Sequence, residues 1–400
     1  MSKDQIVVSG IGIYCPIGES KTDVLDAIKE NKSGFQTIDE FDTDLLRNNK
    51  AGIIHEENLE QLRAYKFMLE AVEEAIEESG ILDAYDDYSR IGISIGTSIG
   101  GYGAYVDKIY EAHEQTTELN NVSGLSDIDI YRNLSFAECG KHIAEKYGFS
   151  GYINSSITAC SAGANAITFA RDTIQSGRID AAIVVGFDPI SQLSYLGFNS
   201  LMALSEDIIR PMDKQRSGLL LGEGAAWLVI EKKQNAEQRK ESIYGVISGC
   251  GTTNDAFHCT RPHPQAIGAI LAMEKALNES NLEPSSIDYI NIHGTGTKHN
   301  DSMELTALEE VFGEGFSTPI SSTKSMFGHT LGAAGTVEAA ISLLCMNEGI
   351  LPPNLNCNEN LLPNVVKKCV PVEKIDHVMS NSFGFGGNCA SLIFSKYSSV

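Results

Sequence analysis

Apolar runs that end in glycine alternate along this chain with stretches of helical spacing. Residues 5–13, Gln-Ile-Val-Val-Ser-Gly-Ile-Gly-Ile, read as a strand running into glycines, with a helix over Thr22 to Asn31 behind it. Residues 244–252, Tyr-Gly-Val-Ile-Ser-Gly-Cys-Gly-Thr, repeat the design, followed by a helix over Ala266 to Ser280. Arg90 to Gly96 matches Ile287 to Gly294 as a strand ending in glycine. A strand over Ile153 to Thr158, a turn and a helix match Pro319 to Asn347. The apolar runs 181–186 and 225–230 match 377–380 and 390–394. A repeat of this length implies duplication. Near-continuous apolar strands alternating with helices imply an α/β protein whose sheets are covered on both faces.

The expected organisation is therefore two fused βα-rich halves, residues 1–240 and 241–400. The charged segment Glu231 to Glu241 reads as a solvated connector between them. Residues 97–150 have no counterpart of similar length in the second half and read as an insertion capping the first, for substrate entry or subunit contact. Glu60 to Gly80 reads as an amphipathic helix with Leu62, Tyr65, Leu69, Val72 and Ile76 on one face. Its far face is acidic, but its first turns hold Arg63 and Lys66.

Composition narrows the class. Apolar residues make up 42% and charged residues 21%, as in ordinary soluble globular proteins. No run reaches transmembrane length, and the N-terminus lacks a charged-then-apolar signal region. The net charge of −23 argues against nucleic acid and anionic membrane as partners. Nine scattered cysteines without a CxxC pair argue against a disulfide framework or a zinc site, and for a reducing cytosol.

One of these cysteines stands apart. In Ser155-Ser-Ile-Thr-Ala-Cys160-Ser-Ala-Gly-Ala-Asn-Ala-Ile-Thr168, small residues form a turn between a strand and a helix start. Helix starts offer free N–H groups and partial positive charge, which favour thiolate, the nucleophilic form. Taken alone, Cys160 fits a buried structural thiol equally well. Three later stretches tip the balance. His293-Gly-Thr-Gly-Thr-Lys-His-Asn-Asp301 puts a histidine at a strand end, with Thr295 and Thr297 offering hydroxyls to an elongated polar ligand. Lys324 and His329 flank a turn before an Ala- and Gly-rich helix. Asn381-Ser-Phe-Gly-Phe-Gly-Gly-Asn388 suits a mobile loop with apolar plugs. Strand-end glycine turns are where α/β proteins build their sites. A cysteine with two histidines and no intervening carboxylate does not suit a protease. It suits thiolate attack on a thioester, with two neutral imidazoles donating to a developing enolate.

Thr158-Ala-Cys160, His293-Gly-Thr-Gly-Thr297 and Lys324-Ser-Met-Phe-Gly-His329-Thr-Leu-Gly-Ala-Ala-Gly335 resemble the three signatures of the β-ketoacyl-[acyl-carrier-protein] synthases, nearest to the KAS II type of the thiolase superfamily. Asn381 to Gly387 resembles their C-terminal gating loop. The resemblance spans nearly the whole chain. It implies the thiolase fold, a five-layered αβαβα sandwich of duplicated halves, in a dimer. It implies Cys160 as the acylated nucleophile, and His293 and His329 as the pair stabilising the malonyl enolate. Lys324 would support that site, Glu304 order it, and Asp301 fill another acidic position. Thr295 and Thr297 would contact phosphopantetheine. Phe385 would gate the site and share an oxyanion hole with Cys160. Phe198, Phe383 and Ile99 would line the acyl pocket. No bound cofactor or metal is implied; the substrates are carrier-protein thioesters.

Carrier proteins are acidic, so docking needs a local basic patch, with Arg63 and Lys66 the sequence candidates. Two stretches depart from the housekeeping enzymes, Ser135 to His142 and Arg210-Pro-Met-Asp-Lys-Gln-Arg-Ser217-Gly-Leu219. Tyr195 to Leu201 and His258 to Pro264 look more like ketosynthases of aryl-polyene and type II polyketide pathways, which often pair with a chain-length-factor paralogue. Housekeeping fatty-acid elongation by a homodimer is the alternative. A coenzyme A thiolase would need a second catalytic cysteine in a Cys-x-Gly context, which Cys389 lacks. A non-catalytic chain-length subunit would lack Cys160.

Overall fold

A strand carrying glycine lets a helix approach the sheet more closely than any side chain permits, and both halves are built on that contact. In the computed structural model, which describes residues 5–54, 63–102, 106, 135–239 and 242–398 without the side chains of 63–68 and 70, strand β1 is Ile6–Tyr14. Helix α2, Arg63–Ser79, lies across it; the first helix, α1, is Lys21–Lys29. A Cβ on Gly12 would fall 1.8 Å from the Ala71 carbonyl oxygen, and one on Gly10 2.3 Å from that of Ala75. The second half repeats the arrangement. A Cβ on Gly251 would fall 1.8 Å from the Ala272 oxygen, and one on Gly249 2.1 Å from that of Ala276. The strand there is Gly245–Asn254 and the helix Ile267–Ser280.

In chain order the main sheet also holds β2 (Ile91–Gly96), β3 (Ile153–Ser156), β4 (Ala181–Asp188) and β5 (Gly224–Lys232). The second half supplies β6 (Gly245–Asn254), β7 (Tyr289–Asn291), β8 (Ile320–Ser321), β9 (His377–Phe383) and β10 (Asn388–Ser395). The order is β8-β7-β9-β10-β6-β1-β5-β4-β2-β3. Each half therefore reads 1-5-4-2-3 outward from the seam, with two antiparallel pairings followed by two parallel ones. The seam is short, pairing Val7 with Val246 and Val8 with Gly245. All five strand correspondences expected from the repeat are present.

The remaining helices complete the layers: α3 (Glu138–Tyr147), α4 (Ala162–Gln175), α5 (Gln192–Ser200), α6 (Lys233–Arg239), α7 (Ile267–Ser280), α8 (Lys298–Phe312) and α9 (Ala334–Glu348). Helices α4 and α9 pack against each other between the two five-strand sets, and α2 and α7 cover the outer faces. The central core joins Ile167 and Ala170 of α4 to Val337, Ile341 and Leu344 of α9 and to strands of both halves. Residues 334–346 of α9 are buried on every side, so the helix is apolar all round.

Two expectations are corrected. Strand β3 is not a buried strand to Thr158. It ends at Ser156 on the outer edge of the sheet, with Ile153 38% and Ile157 49% exposed, because only β2 pairs with it. The matching edge at β8 is covered by residues 364–366. The segment expected as a solvated connector is, over its described residues 231–239, the end of β5 and the helix α6, anchored at its start. Glu231 is fully buried and accepts hydrogen bonds from Ser9 Oγ, Tyr85 Oη and the Arg239 guanidinium of α6. Most of the insertion at 97–150 lies outside the described residues.

Replacing Gly251 by Ala places a Cβ against a backbone oxygen that no rotamer change can move. The variant is expected to lose about 1–3 kcal/mol, read as a lower urea midpoint at unchanged m-value; an unchanged midpoint would show that α7 can lift off β6 freely.

Candidate active site

The elbow after β3 is a strained turn. Ala159 is left-handed at φ +51°, and a single 3₁₀ turn over Ala159–Ser161 leads into α4. Such backbone persists only where its surroundings hold it. Here Asn165 Nδ2 donates to Thr158 Oγ1 (2.8 Å) and Ser161 Oγ to the Thr158 carbonyl (2.9 Å). Gly384 passes so close that a Cβ would lie 3.0–3.2 Å from the Thr158 oxygen and the Cys160 and Ser161 nitrogens. Cys160 is thereby presented, 6% exposed, to a cavity of about 690 Å³.

His293 and His329 reach the same point from the other half. His293 lies just past β7, and its N–H and that of Gly294 donate to the two oxygens of Glu304 at 2.7 and 2.8 Å. His329 is pinned through its main chain to Leu220 and Gly222, and its Nδ1 accepts the Leu331 N–H at 3.2 Å. That bond assigns the proton to Nε2, which has no hydrogen-bond partner among the described residues. The imidazole rings stand 5.3 Å apart and nearly perpendicular. The Cys160 sulfur and one nitrogen of each ring lie within 4.8 Å of one another, close enough to share a soft cation as well as a substrate.

Charge is controlled by Lys324. It is fully buried and paired at short range with buried Glu338 of α9. Burial, with the Lys324 charge added, holds both imidazoles well below the usual histidine range, so they are neutral. Burial pushes the Cys160 thiol up to about 11, while Lys324 and the backbone N–H groups of Phe385 and of Cys160 itself pull it down. The N–H groups of the helix start act in the expected direction, toward thiolate, but burial outweighs them. Burial also raises Glu304 to about 7 and Glu338 to about 6.

The cavity wall includes Thr295 and Thr297, whose hydroxyls are 2.9 Å apart, and Phe198, Phe383 and Phe385. Phe198 and Phe385 stack at 5.6 Å, and Phe383 meets the His293 ring edge-on. The segment 385–387 is latched: Gly386 N–H donates to the Cys259 carbonyl (2.8 Å), and Asp255 N–H to that of Gly387 (2.9 Å). Asp301 does not reach the cavity. It is fully buried and accepts the Met212 and Gly296 N–H groups, so it shapes the wall from behind and is no ligand contact. Ile99 is likewise off this wall, packed with Phe198 against the Leu204 and Leu331 cluster. The Arg63 and Lys66 side chains lie outside the described residues.

Sequence reasoning missed Glu338, although an acid inside an Ala-rich helix behind a candidate lysine was a usable signal. It also missed three cations at the cavity mouth, Lys214, Arg261 and Lys298. No local pattern announces these, because loops distant in sequence assemble them.

Comparison with known proteins agrees with this geometry. Residues 3–236 match the family described as "Beta-ketoacyl synthase, N-terminal domain" and residues 244–358 that described as "Beta-ketoacyl synthase, C-terminal domain". The 3-oxoacyl-[acyl-carrier-protein] synthase 2 of Coxiella burnetii is 34% identical over 421 residues, covering 99% of both chains. Among solved structures, the ishigamide ketosynthase/chain length factor superposes with TM-score 0.89 at 29% identity, covering 99% of this chain and 100% of that one. A type II polyketide ketosynthase solved in complex with its acyl-carrier protein gives 0.88 at 26% identity, covering 99% and 100%.

Iodoacetamide alkylation of Cys160, followed by intact mass, is expected to accelerate about tenfold per unit between about pH 7 and 9, since only thiolate reacts. A flat profile there would mean that the thiolate already exists at neutral pH.

Proposed function

The chain belongs to the β-ketoacyl synthase family, and from that premise we propose that it condenses malonyl-carrier with an acyl group held on Cys160. The observation that carries this is a buried thiol and two neutral imidazoles within 4.8 Å, at one cavity of about 690 Å³. The Cys160 sulfur attacks the incoming thioester carbonyl and the carrier thiol leaves. The N–H groups of Cys160 and Phe385, both close to the sulfur, stabilise the oxyanion. His293 Nδ1 has no hydrogen-bond partner among the described residues, so that ring can take the thiol proton and pass it to the departing carrier sulfur, and it is neutral again before the extender arrives. Malonyl-carrier then enters along Thr295 and Thr297 and loses CO₂. The enolate oxygen accepts hydrogen bonds from the histidine pair. Its carbon forms a bond to the acyl carbonyl, and the Cys160 thiolate departs. Glu304 holds His293, and burial together with the Lys324 charge disfavours lasting protonation of either ring.

The pathway reading is type II polyketide or polyene synthesis. It is supported by the departures at Ser135 to His142 and Ser217 to Leu219 and by the likeness to polyketide ketosynthases. Fatty-acid elongation is the second reading, favoured by the 34% identical relative. The open β3 edge, with exposed Ile153, Ile157 and Phe169, suits a second subunit, whether another copy or a chain-length factor. An acidic carrier suits Lys214, Arg261 and Lys298 at the mouth, none of which has an ion pair among the described residues; Arg63 and Lys66 remain the candidates read from the sequence. Nine free cysteines and the absence, among the described residues, of a helix fit to cross a membrane support a cytoplasmic home.

Cys160→Ala should abolish condensation and self-acylation while leaving malonyl-carrier decarboxylation. His293→Ala or His329→Ala should spare acylation more than decarboxylation, which should fall about 10²–10³. Intact mass after incubation with acyl carriers reads the first, and CO₂ release the second. Normal elongation by Cys160→Ala would sink the assignment. In the same assay, conjugated starters should outrun saturated chains of equal length; the reverse order restores the fatty-acid reading.

Reversing Lys214 and Arg261 to Glu is expected to raise KM for the carrier substrate several-fold, about threefold or more, with little change in kcat, and to do so most at low salt. An unchanged KM at low ionic strength moves docking elsewhere.

A further inference from the structure

One buried carboxylate near the site enters no step above, although its charge adds to burial in raising the Cys160 thiol. Asp188, at the end of β4, is 1% exposed and has five donors around it. From one side come Thr97 Oγ1 (2.6 Å), Ser98 N (2.8 Å), Ile99 N (2.9 Å) and Gly100 N (3.0 Å). From the other half of the molecule comes Gly332 N, at 2.6 Å. A turn capped by four donors is a structural device in itself. The fifth bond is different, because Gly332 follows the residue that sets the His329 tautomer.

Leu331 is left-handed at φ +52°, a conformation that a leucine keeps only when held. Its N–H is the donor to His329 Nδ1. On one side the chain is pinned at His329 through Leu220 and Gly222. On the other it is pinned by Gly332 to Asp188. Gly332 also has no room to shift: a Cβ there would lie 2.4 Å from Ser98 N and 2.7 Å from the Thr97 Cα. The turn at 97–100 and the turn at 331–332 thus close on one carboxylate.

We propose that Asp188 is a positioning residue for His329, holding the Leu331 N–H on Nδ1 so that Nε2–H faces the reacting oxygen. The proposal rests on His329 acting as an enolate donor. Without the Gly332 bond, the Leu331 peptide relaxes, Nδ1 loses its donor and the ring can present a lone pair instead of a proton. Acyl transfer to Cys160 does not use that proton.

The test compares the two half-reactions in Asp188→Asn. Its amide cannot accept all five bonds and sets an NH₂ against one of the donors. Malonyl-carrier decarboxylation should fall about 10–100-fold in kcat, the scale of a misplaced catalytic group, with KM within about threefold. Acylation of Cys160 should also stay within about threefold. Thr97→Val removes a donor from the other turn and should leave decarboxylation within about threefold. Nitrogen NMR of ¹⁵N-histidine-labelled protein should show His329 as the Nε2–H tautomer in the wild type and a mixture in Asp188→Asn. Equal losses in both half-reactions, undiminished decarboxylation, or an Nδ1–H tautomer in the wild type would overturn the proposal. If Asp188→Asn does not fold, the wild-type tautomer and Thr97→Val still decide it. A wild-type protein that decarboxylates nothing would refute the enolate reading itself, a distinct outcome.

Discussion

An ammonium group sealed from water must find its counter-charge inside the protein, and Lys324 finds it on Glu338. Breaking such a pair leaves a bare charge, at about 3–5 kcal/mol. The requirement organises the centre of the molecule. Glu338 can arrive only on a helix that is itself buried, so α9 runs between the two five-strand sets with no polar face toward water. The ammonium then acts at a distance. It disfavours a second positive charge on either imidazole and favours negative charge on the sulfur. One buried cation thus acts, second only to burial, on the protonation of three groups contributed by both halves.

Close packing makes that centre possible. Where α4 and α9 cross, a Cβ on Gly335 would sit 2.4 Å from Ala164 N, and one on Gly163 2.7 Å from Thr336 N. These helices begin just after Cys160 and just after His329. Bringing their starts together brings the nucleophile and the second histidine together. The duplicated fold therefore builds one site from two equivalent elbows, each placed by the same strand–turn–helix unit.

The duplication was legible because strand-glycine patterns repeat in the same order twice, and the repeat has a physical cause in helices that ride directly on the sheet backbone. The catalytic trio was legible because each member sits beside small residues at a strand end. What escaped was non-local. Edge and interior strands differ by their neighbours, so Ile153 to Ser156 read as buried. Glu231 looked like the first residue of a charged linker because its partners, Ser9 and Tyr85, lie far upstream. The Cys160 thiol looked poised because helix position is visible in sequence and desolvation is not. Glu338, Asp188 and the mouth cations take their meaning only from three-dimensional neighbours.

Among the described residues, Cys160, His293 and His329 open onto a single shared cavity. A condensation of two carrier-borne groups must then pass both pantetheine arms through one doorway. Two carriers cannot occupy it together, so the acyl donor has to vacate before the extender arrives. Turnover order is thereby imposed by shape: ping-pong kinetics, with each carrier competing against the other, and with excess of either one slowing the cycle it feeds.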